Sequence, residues 1–474
     1  MARIRYTAER QEHWNAIADD RKKWQGLGGY YHRRIEQCYR HLVSPGLAVL
    51  ELGCGRGDLL AALQPEIGVG VDLSESMISQ ARERHPRLRF FEADAHDLNL
   101  DGKFDIIILS DLVNELWDVQ QVFQAVSKFS KTGTRVIINA FSHLWEQPLN
   151  LGRRLGLATP LLAQNWLTIS DLGELLELEG FELVKHSQEI MLPLALWPLQ
   201  SLCNRYLVKL WPFNQLALTN VLIARPAAKS ASSVKEPIVS VIVPARNEAG
   251  NIAAIFARTP EMGGGTELIF VEGHSQDDTY ATIEKEMARH PCRRCRLFRQ
   301  DGAGKGDAVR LGFAEASGEV LMILDADMTV PPEDLPRFYQ ALHSGKGDFI
   351  NGVRLVYPME KQAMRFLNML GNKFFSLAFS WLLGQTIKDT LCGTKVLWKK
   401  DYQSITRNRS YFGEFDPFGD FDLLFGAAKL NLKIMQIPIR YRERTYGSTN
   451  IQRFRHGLIL LRMVGFAARK IKFV

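Results

Sequence analysis

The stretch Val49-Leu-Glu-Leu-Gly-Cys-Gly-Arg-Gly-Asp58 decides the fold of the first half of this 474-residue chain. An apolar, strand-like run ends in a glycine-rich turn, and a helix begins at about Leu59. A strand that passes through such a turn into a helix places a ligand over the turn. Similar runs alternate with segments of helical period, which predicts a mainly parallel sheet with crossover helices. The runs are Leu47–Leu52, Gly68–Leu73, Arg89–Ala93, Phe104–Ser110 and Arg135–Ala140.

The alternation stops at the small, polar stretch AAKSASSVKE, residues 227–236, which is typical of a linker. It restarts with three more strand-like runs, Val239–Pro244, Glu267–Glu272 and Glu319–Asp325. We therefore predict two doubly wound α/β domains in tandem. Their expected boundaries are residues 1–228 and 237–474, with a linker at 229–236.

Composition narrows the functional classes. Hydrophobic residues make up 46% and charged residues 23% of the chain, which argues against a disordered, collagen-like or disulfide-scaffold protein. The net charge of +7 suits anionic ligands or a membrane surface at least as well as nucleic acid. Six cysteines and no apolar leader predict a cytoplasmic protein. Cys292 and Cys295 have metal-like spacing but lack a second pair, so two ordinary thiols are favoured over a zinc site.

The first glycine-rich turn is followed by acids at the ends of two later strands. Asp72 stands 21 positions beyond Glu51, the separation expected of an acid that binds ribose hydroxyls. Asp94 follows the third strand, where an oxygen can reach an adenine amino group. A dinucleotide fingerprint would need its third glycine where Asp58 stands, which disfavours an NAD-dependent enzyme. The set predicts an adenosine-containing ligand.

This ordered set resembles the class I S-adenosylmethionine-dependent methyltransferases over roughly residues 45–140. Acidic groups beside the turn suit a sulfonium donor with no phosphate better than they suit a pyrophosphate. The resemblance implies S-adenosylmethionine as the cofactor, with Asp72 at the ribose and Asp94 at the adenine. The residues implied at its methionine part are Glu51, Gly53, Gly55 and Gly57. Asn114 and Glu115 are placed either at the methyl acceptor or in a solvated helix start.

The second domain carries polar groups after three strand-like runs. Val239-Ser-Val-Ile-Val-Pro244 breaks into the loop Ala245-Arg-Asn-Glu248, and a second run ends at Glu272. The third ends in Asp325-Ala-Asp327, whose two carboxylates suit a hard divalent ion that bridges diphosphate oxygens. Such an ion would stabilise a departing nucleoside diphosphate.

Together with Gly304-Lys-Gly-Asp-Ala308, these residues resemble family 2 glycosyltransferases of the A-type fold over nearly all of residues 237–450. The likeness is strongest to dolichyl-phosphate mannosyltransferases and related polyprenyl-phosphate glycosyltransferases. It implies inverting, Mg²⁺- or Mn²⁺-dependent transfer from a nucleotide diphosphate sugar to a polyprenyl phosphate or glycolipid. The residues implied at the nucleotide sugar are Pro244, Ala245, Arg246, Glu248, Glu272, Asp277, Lys305 and Asp325. Those implied at the metal are Asp325 and Asp327, and those at the acceptor phosphate are Arg354, Arg365, Arg444 and Ser448.

Two positions depart from the usual pattern of that family, Glu272-Gly273 in place of paired acids and Lys395 in place of arginine. A sugar-hydroxyl acceptor therefore stays open. A hydroxyl needs a carboxylate base, whereas a phosphate is already ionised. The candidate catalytic base is Asp422, in an acidic cluster with Glu414, Asp416 and Asp420.

Several apolar stretches raise the question of a membrane. No transmembrane helix is predicted, because the run Ile190–Asn204 contains two prolines and is shorter than the roughly 20 residues that a bilayer needs. The basic terminus Leu458–Val474 suits an anionic bilayer surface. For both this terminus and Phe374–Gly384, packing on the sheets as ordinary core is the alternative to membrane contact. Trp197 and Trp211 are placed as interfacial anchors or as buried aromatics.

The combined prediction is a two-headed enzyme of Rossmann-like domains, peripheral at the cytoplasmic face of a membrane. The class I methyltransferase fold is followed by the A-type glycosyltransferase fold. The alternative makes the first domain a non-catalytic binding or regulatory module. Nucleic acid is disfavoured as a partner, because no basic stripe with interleaved aromatics lies near Gly53.

Overall fold

The computed structural model describes residues 2–19, 29–154, 161–228, 236–354, 366–408, 420–440, 446 and 453–474. The chain divides into two compact units, Met1–Ala227 with Phe473–Val474, and Ala228–Lys472. All but the last residue of the predicted linker lie outside the described residues, so the linker stays a prediction.

The first unit is built on a seven-stranded sheet in the order β3-β2-β1-β4-β5-β7-β6. The strands are β1 Ala48–Leu52, β2 Ile67–Asp72, β3 Arg89–Glu92, β4 Phe104–Ser110, β5 Ser130–Phe141, β6 Phe181–Glu189 and β7 Thr219–Pro226. The first five are parallel, and β7 runs antiparallel to both β5 and β6. The strand order reverses between β1 and β4, and the carboxyl ends on either side of that point form a crevice.

Helices accompany this sheet, and several of them bury an apolar face. They are α1 Ala2–Asp19, α2 Gly29–Leu42, α3 Asp58–Ala62, α4 Glu75–Arg84, α5 Val119–Phe129, α6 Glu146–Arg154, α7 Ile169–Leu178 and α8 Leu199–Arg205. In α5 the buried residues Val119, Val122, Phe123 and Val126 recur at helical spacing, which gives the core-facing stripe. The side chain of Asp118 caps this helix by accepting the backbone N–H of Gln121.

The second unit contains another seven-stranded sheet, in the order β10-β9-β8-β11-β13-β12-β14. Its strands are β8 Val239–Ala245, β9 Thr266–Glu272, β10 Cys295–Arg299, β11 Val320–Ile323, β12 Phe349–Val353, β13 Lys395–Trp398 and β14 Ile434–Pro438. Strand β13 is antiparallel to β11 and β12, and the other pairs are parallel. The order reverses between β8 and β11, which puts a second crevice at their carboxyl ends. Both domains therefore have the predicted doubly wound α/β architecture.

The helices of the second unit include α13, which has a strongly apolar sequence. Among the described residues, the α-helices are α9 Ala249–Arg258, α10 Thr279–Arg289, α11 Lys305–Glu315, α12 Leu335–His343, α13 Phe366–Leu383, α14 Lys399–Arg407, α15 Asp420–Lys429 and α16 Arg453–Ala467. None of the helices in the described part of the chain has the length and hydropathy needed to span a membrane.

Candidate active sites

The glycine-rich turn after β1 lines the first crevice. Gly53, Gly55 and Gly57 all have positive φ angles, of 72°, 52° and 73°, which side chains with a Cβ rarely adopt. A Cβ added at Gly57 would overlap the ring of Phe90, so this turn packs tightly against β3. A Cβ at Gly55 would meet nothing within 4 Å, so space is open beside the turn.

Asp72, at the end of β2, ties that strand to the turn. Its carboxylate accepts the backbone N–H of Gly55 at 2.8 Å and that of Ser74 at 2.9 Å. Burial nevertheless raises the pKa of Asp72 above its ordinary value. The carboxylate thus stands where β1 and β2 end side by side, as the sequence predicts.

Glu51 is the most unusual group of this crevice, because it is a buried acid inside the sheet. It is only 2% exposed, and its Oε2 has no hydrogen-bond partner. Burial, with the charges of Asp72 and Asp58, raises the pKa of Glu51 well above its usual range. A buried acceptor without a donor is costly, and a cationic ligand would satisfy it. The residues therefore fit S-adenosylmethionine, whose sulfonium and ammonium groups are both positive.

Asp94, the third predicted cofactor residue, is already engaged. It accepts hydrogen bonds from the backbone N–H of His96 at 3.0 Å and from Arg3 at 3.3 Å, and it contacts the His96 ring. Burial alone would raise the pKa of Asp94, but these contacts hold it well below its ordinary value. Nothing in the local sequence indicates that α1 brings Arg3 to this site.

A buried polar cluster centred on Asp111 was missed by the sequence reasoning. Asp111 follows β4 directly and accepts hydrogen bonds from Tyr31 at 2.7 Å and Asn139 at 2.5 Å. Burial raises the pKa of Asp111 to about 7. Its place after an apolar strand is the same signal that identified Asp72, so it could have been found.

Asn114 and Glu115, which the sequence placed at a methyl acceptor or in a solvated helix start, lie just beyond. Asn114 is fully buried and donates to the carbonyl of Asn165 at 2.7 Å. Glu115 lies 3.3 Å from Arg10 and accepts from Gln164. The solvated reading is therefore wrong for Asn114.

The second crevice begins with the loop after β8. Pro244 and Ala245 end the strand, and Arg246 is exposed to solvent. Glu248 is buried, where its carboxylate accepts from Asn251 at 2.8 Å. These residues form one wall of the crevice.

Two acids at the end of β9 and in the loop after it lie beside that wall, and Asp277 is hydrogen-bonded to it. Glu272 is buried, accepts the backbone N–H of Ser275 and lies 3.3 Å from Arg299. Asp277 accepts the backbone N–H groups of Thr279 at 3.1 Å and Ala249 at 3.3 Å. Burial alone would raise the pKa of Asp277, but the hydrogen bond from the Thr279 hydroxyl and these backbone bonds lower it.

Asp325 and Asp327 stand half-buried just past β11. Asp325 forms an ion pair with Lys305 at 2.6 Å, and Asp327 accepts from the Thr329 hydroxyl at 2.8 Å. Burial alone would raise the pKa of Asp325, but the neighbouring charges of Lys305, Lys395 and Arg354 hold it below its ordinary value. Two adjacent carboxylates fit a hard divalent ion whose other ligands come from diphosphate and water. In the described part of the chain, no cluster of three or more His, Cys, Asp or Glu side chains could hold a metal alone.

Gly393 closes this site from the opposite side, and the sequence analysis gave it no role. Strand β13 runs antiparallel to β11, with Met322 opposite Val396, so the chain before β13 passes Asp325. A Cβ on Gly393 would overlap both the Asp325 carboxylate and the Lys305 ammonium. Only a glycine lets the backbone approach this ion pair.

Arg354, predicted at the acceptor phosphate, is held by a buried carboxylate. Its Nε and terminal nitrogen donate to Asp389 at 2.7 and 2.9 Å. Burial opposes ionisation, yet the charge and hydrogen bonds of Arg354 lower the pKa of Asp389 to about 2. The guanidinium is thereby fixed in orientation next to the end of β12.

The other predicted acceptor residues are not placed. Arg365, Arg444 and Ser448, with Glu414 and Asp416, lie outside the described residues. Asp422 is half-buried in the first turn of α15, the helix that Asp420 begins. Its catalytic role stays a prediction. All six cysteines, including Cys292 and Cys295, are free thiols.

Comparisons with known proteins agree with this division. The family described as "Methyltransferase domain" matches residues 49–133, and "Glycosyl transferase family 2" matches residues 240–409. Dolichol-phosphate mannosyltransferase of Pyrococcus furiosus is 27% identical over 50% of this chain and 67% of its own length. Dolichyl-phosphate hexose transferase of Haloferax volcanii is 29% identical over 46% and 89%. Undecaprenyl-phosphate 4-deoxy-4-formamido-L-arabinose transferase of Edwardsiella ictaluri is 32% identical over 44% and 62%.

Solved structures resemble each half of the chain in turn. A SAM-dependent methyltransferase of Thermotoga maritima is 17% identical, with a TM-score of 0.36, and covers 46% of this chain and 98% of its own. Glucosyl-3-phosphoglycerate synthase of Mycobacterium tuberculosis, with Mn²⁺ and UDP-glucose, is 18% identical with a TM-score of 0.37, over 50% and 80%. The chain thus joins two enzyme domains, a methyltransferase domain followed by a domain of glycosyl transferase family 2.

Proposed function

We propose that the glycosyltransferase domain moves a sugar from a nucleoside diphosphate sugar to a polyprenyl phosphate, in a reaction that requires Mg²⁺ or Mn²⁺. The observation that carries this proposal is the group of Asp325, Asp327 and Lys305 at the reversal of the strand order. The bond between the anomeric carbon and the diphosphate breaks, and an acceptor phosphate oxygen bonds to that carbon from the opposite face. A divalent ion, when bound, neutralises charge on the leaving diphosphate.

Arg354 supports a phosphate as the acceptor. The positive charge of Arg354 helps to lower the pKa of Asp325. Asp389 fixes the plane of the guanidinium, whose geometry matches that of a phosphate. A phosphate is ionised at neutral pH and needs no base. The names of the three relatives refer to dolichyl or undecaprenyl phosphate. We place Arg365, Arg444 and Ser448 at the same phosphate, by resemblance.

A transfer assay tests this proposal. Nucleotide sugars are offered with a short, water-soluble prenyl phosphate, with Mg²⁺, with Mn²⁺ or with a chelator. We expect transfer only with metal, and a loss of about 100-fold or more in Asp327→Asn. Glu284→Gln, which removes an exposed acid on α10, should leave the rate unchanged. If the transfer rate depends neither on metal nor on Asp327→Asn, the assigned role of Asp327 is rejected. If sugar is transferred only to free sugars, the acceptor is a sugar hydroxyl and not a polyprenyl phosphate.

We also propose that the first domain binds S-adenosylmethionine and transfers its methyl group. The buried, unpartnered carboxylate oxygen of Glu51 beside the open face of Gly55 carries this proposal. Methyl transfer requires mainly that donor and acceptor are held in line, so these residues act by binding and orientation. Asp72 binds the ribose and Asp94 the adenine, and the methyl acceptor is a glycan, a lipid or another small molecule.

Calorimetry with S-adenosylmethionine tests the second proposal. We expect the full chain to bind, Asp72→Ala to lose most of its affinity, and Asp101→Ala, at an exposed position, to bind like the wild type. Wild-type protein that gives no binding heat would favour the alternative of a non-catalytic module.

We further propose that the protein is attached peripherally to the cytoplasmic face of a membrane. One face of α13 exposes Phe374, Leu377 and Trp381, while Phe375 and Phe379 are buried. The sequence left two alternatives for this helix, packing as core or contact with the membrane. Helix α13 has one buried face and one exposed apolar face. Exposed Arg462, Arg469 and Lys470 near the chain end add positive charge that suits anionic lipid.

A further inference from the structure

The segment between β6 and β7, residues 190–218, exposes an unusual number of large apolar side chains. We refer to it as the β6–β7 insertion. Trp197 and Trp211 are 83% and 81% exposed. Other exposed large apolar residues are Leu196, Leu199, Leu202, Tyr206, Leu210, Phe213 and Leu216. An exposed apolar group of this kind marks an interaction surface.

The insertion is an ordered scaffold, because buried hydrogen bonds and packing hold its inner side. Asn204 is 1% exposed, and its Oδ1 accepts the backbone N–H groups of Met191 at 2.7 Å and Leu192 at 2.8 Å. Its Nδ2 donates to the carbonyl of Leu192 at 2.7 Å. Val208 is completely buried. The outward side chains are therefore held in place by the fold.

The insertion continues onto a neighbouring part of the same domain. The indole Nε1 of Trp145 donates to the carbonyl of Leu216 at 2.9 Å. Leu144, next in the chain to Trp145, is strongly exposed. The apolar surface thus extends beyond a single helix and offers a broad face.

The charge of the surface identifies its occupant. Residues 190–219 include no aspartate or glutamate, and their only charged residues are Arg205 and Lys209. Lys209 is ion-paired with Glu189 at the end of β6. Tryptophan, tyrosine and leucine without negative charge match the headgroup region of a bilayer, where amphipathic rings concentrate. The net charge of +7 opposes contact between two copies and favours an anionic surface.

We propose that the β6–β7 insertion is a membrane-docking surface of the methyltransferase domain, which places Trp197 and Trp211 among the headgroups of an anionic bilayer. It adds a second contact to the one proposed on the glycosyltransferase domain. The inference rests on the proposed function in one respect, that a lipid-linked acceptor requires the protein at a membrane.

Vesicle flotation tests the docking. Vesicles of phosphatidylcholine and phosphatidylglycerol are mixed with wild-type protein and with Trp197→Ser/Trp211→Ser. We expect the double variant to bind about tenfold more weakly, because both anchors are lost. Leu178→Ser is the matched control, since Leu178 is 69% exposed at the end of α7 and lies outside the insertion. A double variant that binds like this control would overturn the proposal.

Brominated lipids separate this surface from any other contact with the vesicle. Bromine quenches tryptophan only within the bilayer. Trp197→Phe/Trp211→Phe should keep binding and lose the quenching that these two residues contribute, while quenching of Trp381 on α13 remains. Undiminished quenching in that variant would mean that other tryptophans touch the lipid, and it would reject the assignment. Sedimentation without vesicles gives a further check, because a dimer abolished by Trp197→Ser/Trp211→Ser would make the surface a contact between copies.

The transfer assay with soluble prenyl phosphate distinguishes failure of the docking from failure of the proposed function. Without vesicles, Trp197→Ser/Trp211→Ser should transfer sugar at the wild-type rate. An inactive wild-type protein would reject the proposed transfer, and the quenching result would still decide whether the insertion enters lipid.

Discussion

Gly393 allows a direct test of the glycosyltransferase site, because alanine at this position replaces one hydrogen atom by a methyl group. In Gly393→Ala the new Cβ must displace the Asp325 carboxylate or the Lys305 ammonium. We expect sugar transfer to fall by about 100-fold, since a displacement of roughly 1 Å at a reacting centre has that effect. The measurement is the rate of sugar transfer at saturating metal and acceptor.

The control for Gly393→Ala is another glycine replaced at an open position. Gly371, on α13, would place its Cβ within 4 Å of nothing, so Gly371→Ala should keep full activity. Equal melting temperatures for the two variants would show that Gly393→Ala acts at the site. Full activity in Gly393→Ala would contradict the close approach.

Asp111 predicts a pH dependence of stability in the methyltransferase domain. Its pKa is raised to about 7 in the folded protein, compared with about 3.9 in an unfolded chain. The protonated form therefore contributes stability below pH about 4, and this contribution is lost as the pH rises towards 7. The Asn side chain of Asp111→Asn does not titrate. The melting temperature of this variant minus that of the wild type should therefore increase by at least about 2 °C when the pH is raised from 4 to 8.

Thermal scans in a series of buffers check this prediction. Asp101→Asn, at an exposed site, should differ from the wild type by the same amount at every pH. If the difference for Asp111→Asn is also constant, Asp111 does not carry the raised pKa.

Site residues that directly follow an apolar strand could be predicted from the sequence. Site residues that reach the site through strand pairing or helix packing could not. Asp72 and Asp327 each come after an apolar run, and the run is visible in the chain. Gly393 meets Asp325 only because β13 pairs with β11, and nothing in the local sequence encodes that pairing. Arg3 reaches Asp94 for the same reason, through the packing of α1.

Helix α1 is the element whose contribution can be tested most directly. The side-chain oxygen of Asn15 accepts the Ser74 hydroxyl at 2.5 Å and the Ser76 N–H at 3.3 Å. Ser74 in turn donates its backbone N–H to Asp72. Asn15→Ala should therefore loosen the loop after β2 and weaken S-adenosylmethionine binding about fivefold, the value of one hydrogen bond.

Calorimetry at one temperature is sufficient for this measurement. Arg5→Ala is the matched control, because Arg5 is an exposed residue of the same helix. A similar loss of affinity in both variants would indicate that the whole helix had changed, and unchanged affinity in Asn15→Ala would remove α1 from the site.

The elements differ in how well a sequence announces them. The parallel strands β1, β4, β8 and β9 are buried on both faces and have apolar sequences, so each was predicted to within one residue at both ends. The sheet-edge strand β6 mixes lysine, histidine and glutamate with leucine and valine, and no strand was predicted there. Helix α1 shows no apolar stripe, so its contacts with the site could not be expected.

At the scale of the whole molecule, the two reversals of strand order place the two crevices in separate units. The described residues named at each crevice belong to one unit, Glu51 and Asp72 to the first and Asp325 and Asp327 to the second. Substitutions at distant sites that share no contacts act independently. We therefore expect Asp72→Ala to lose most of its affinity for S-adenosylmethionine while sugar transfer continues, and Asp327→Asn to lose sugar transfer while S-adenosylmethionine still binds.

The double variant Asp72→Ala/Asp327→Asn tests this independence quantitatively. Its loss of S-adenosylmethionine affinity should equal that of Asp72→Ala, and its loss of transfer should equal that of Asp327→Asn, each within about twofold. Calorimetry and the transfer assay on the same four proteins supply the cycle. If saturating S-adenosylmethionine changes the transfer rate of the wild type but not that of Asp72→Ala, the two crevices are coupled, and the first domain regulates the second in addition to any methylation.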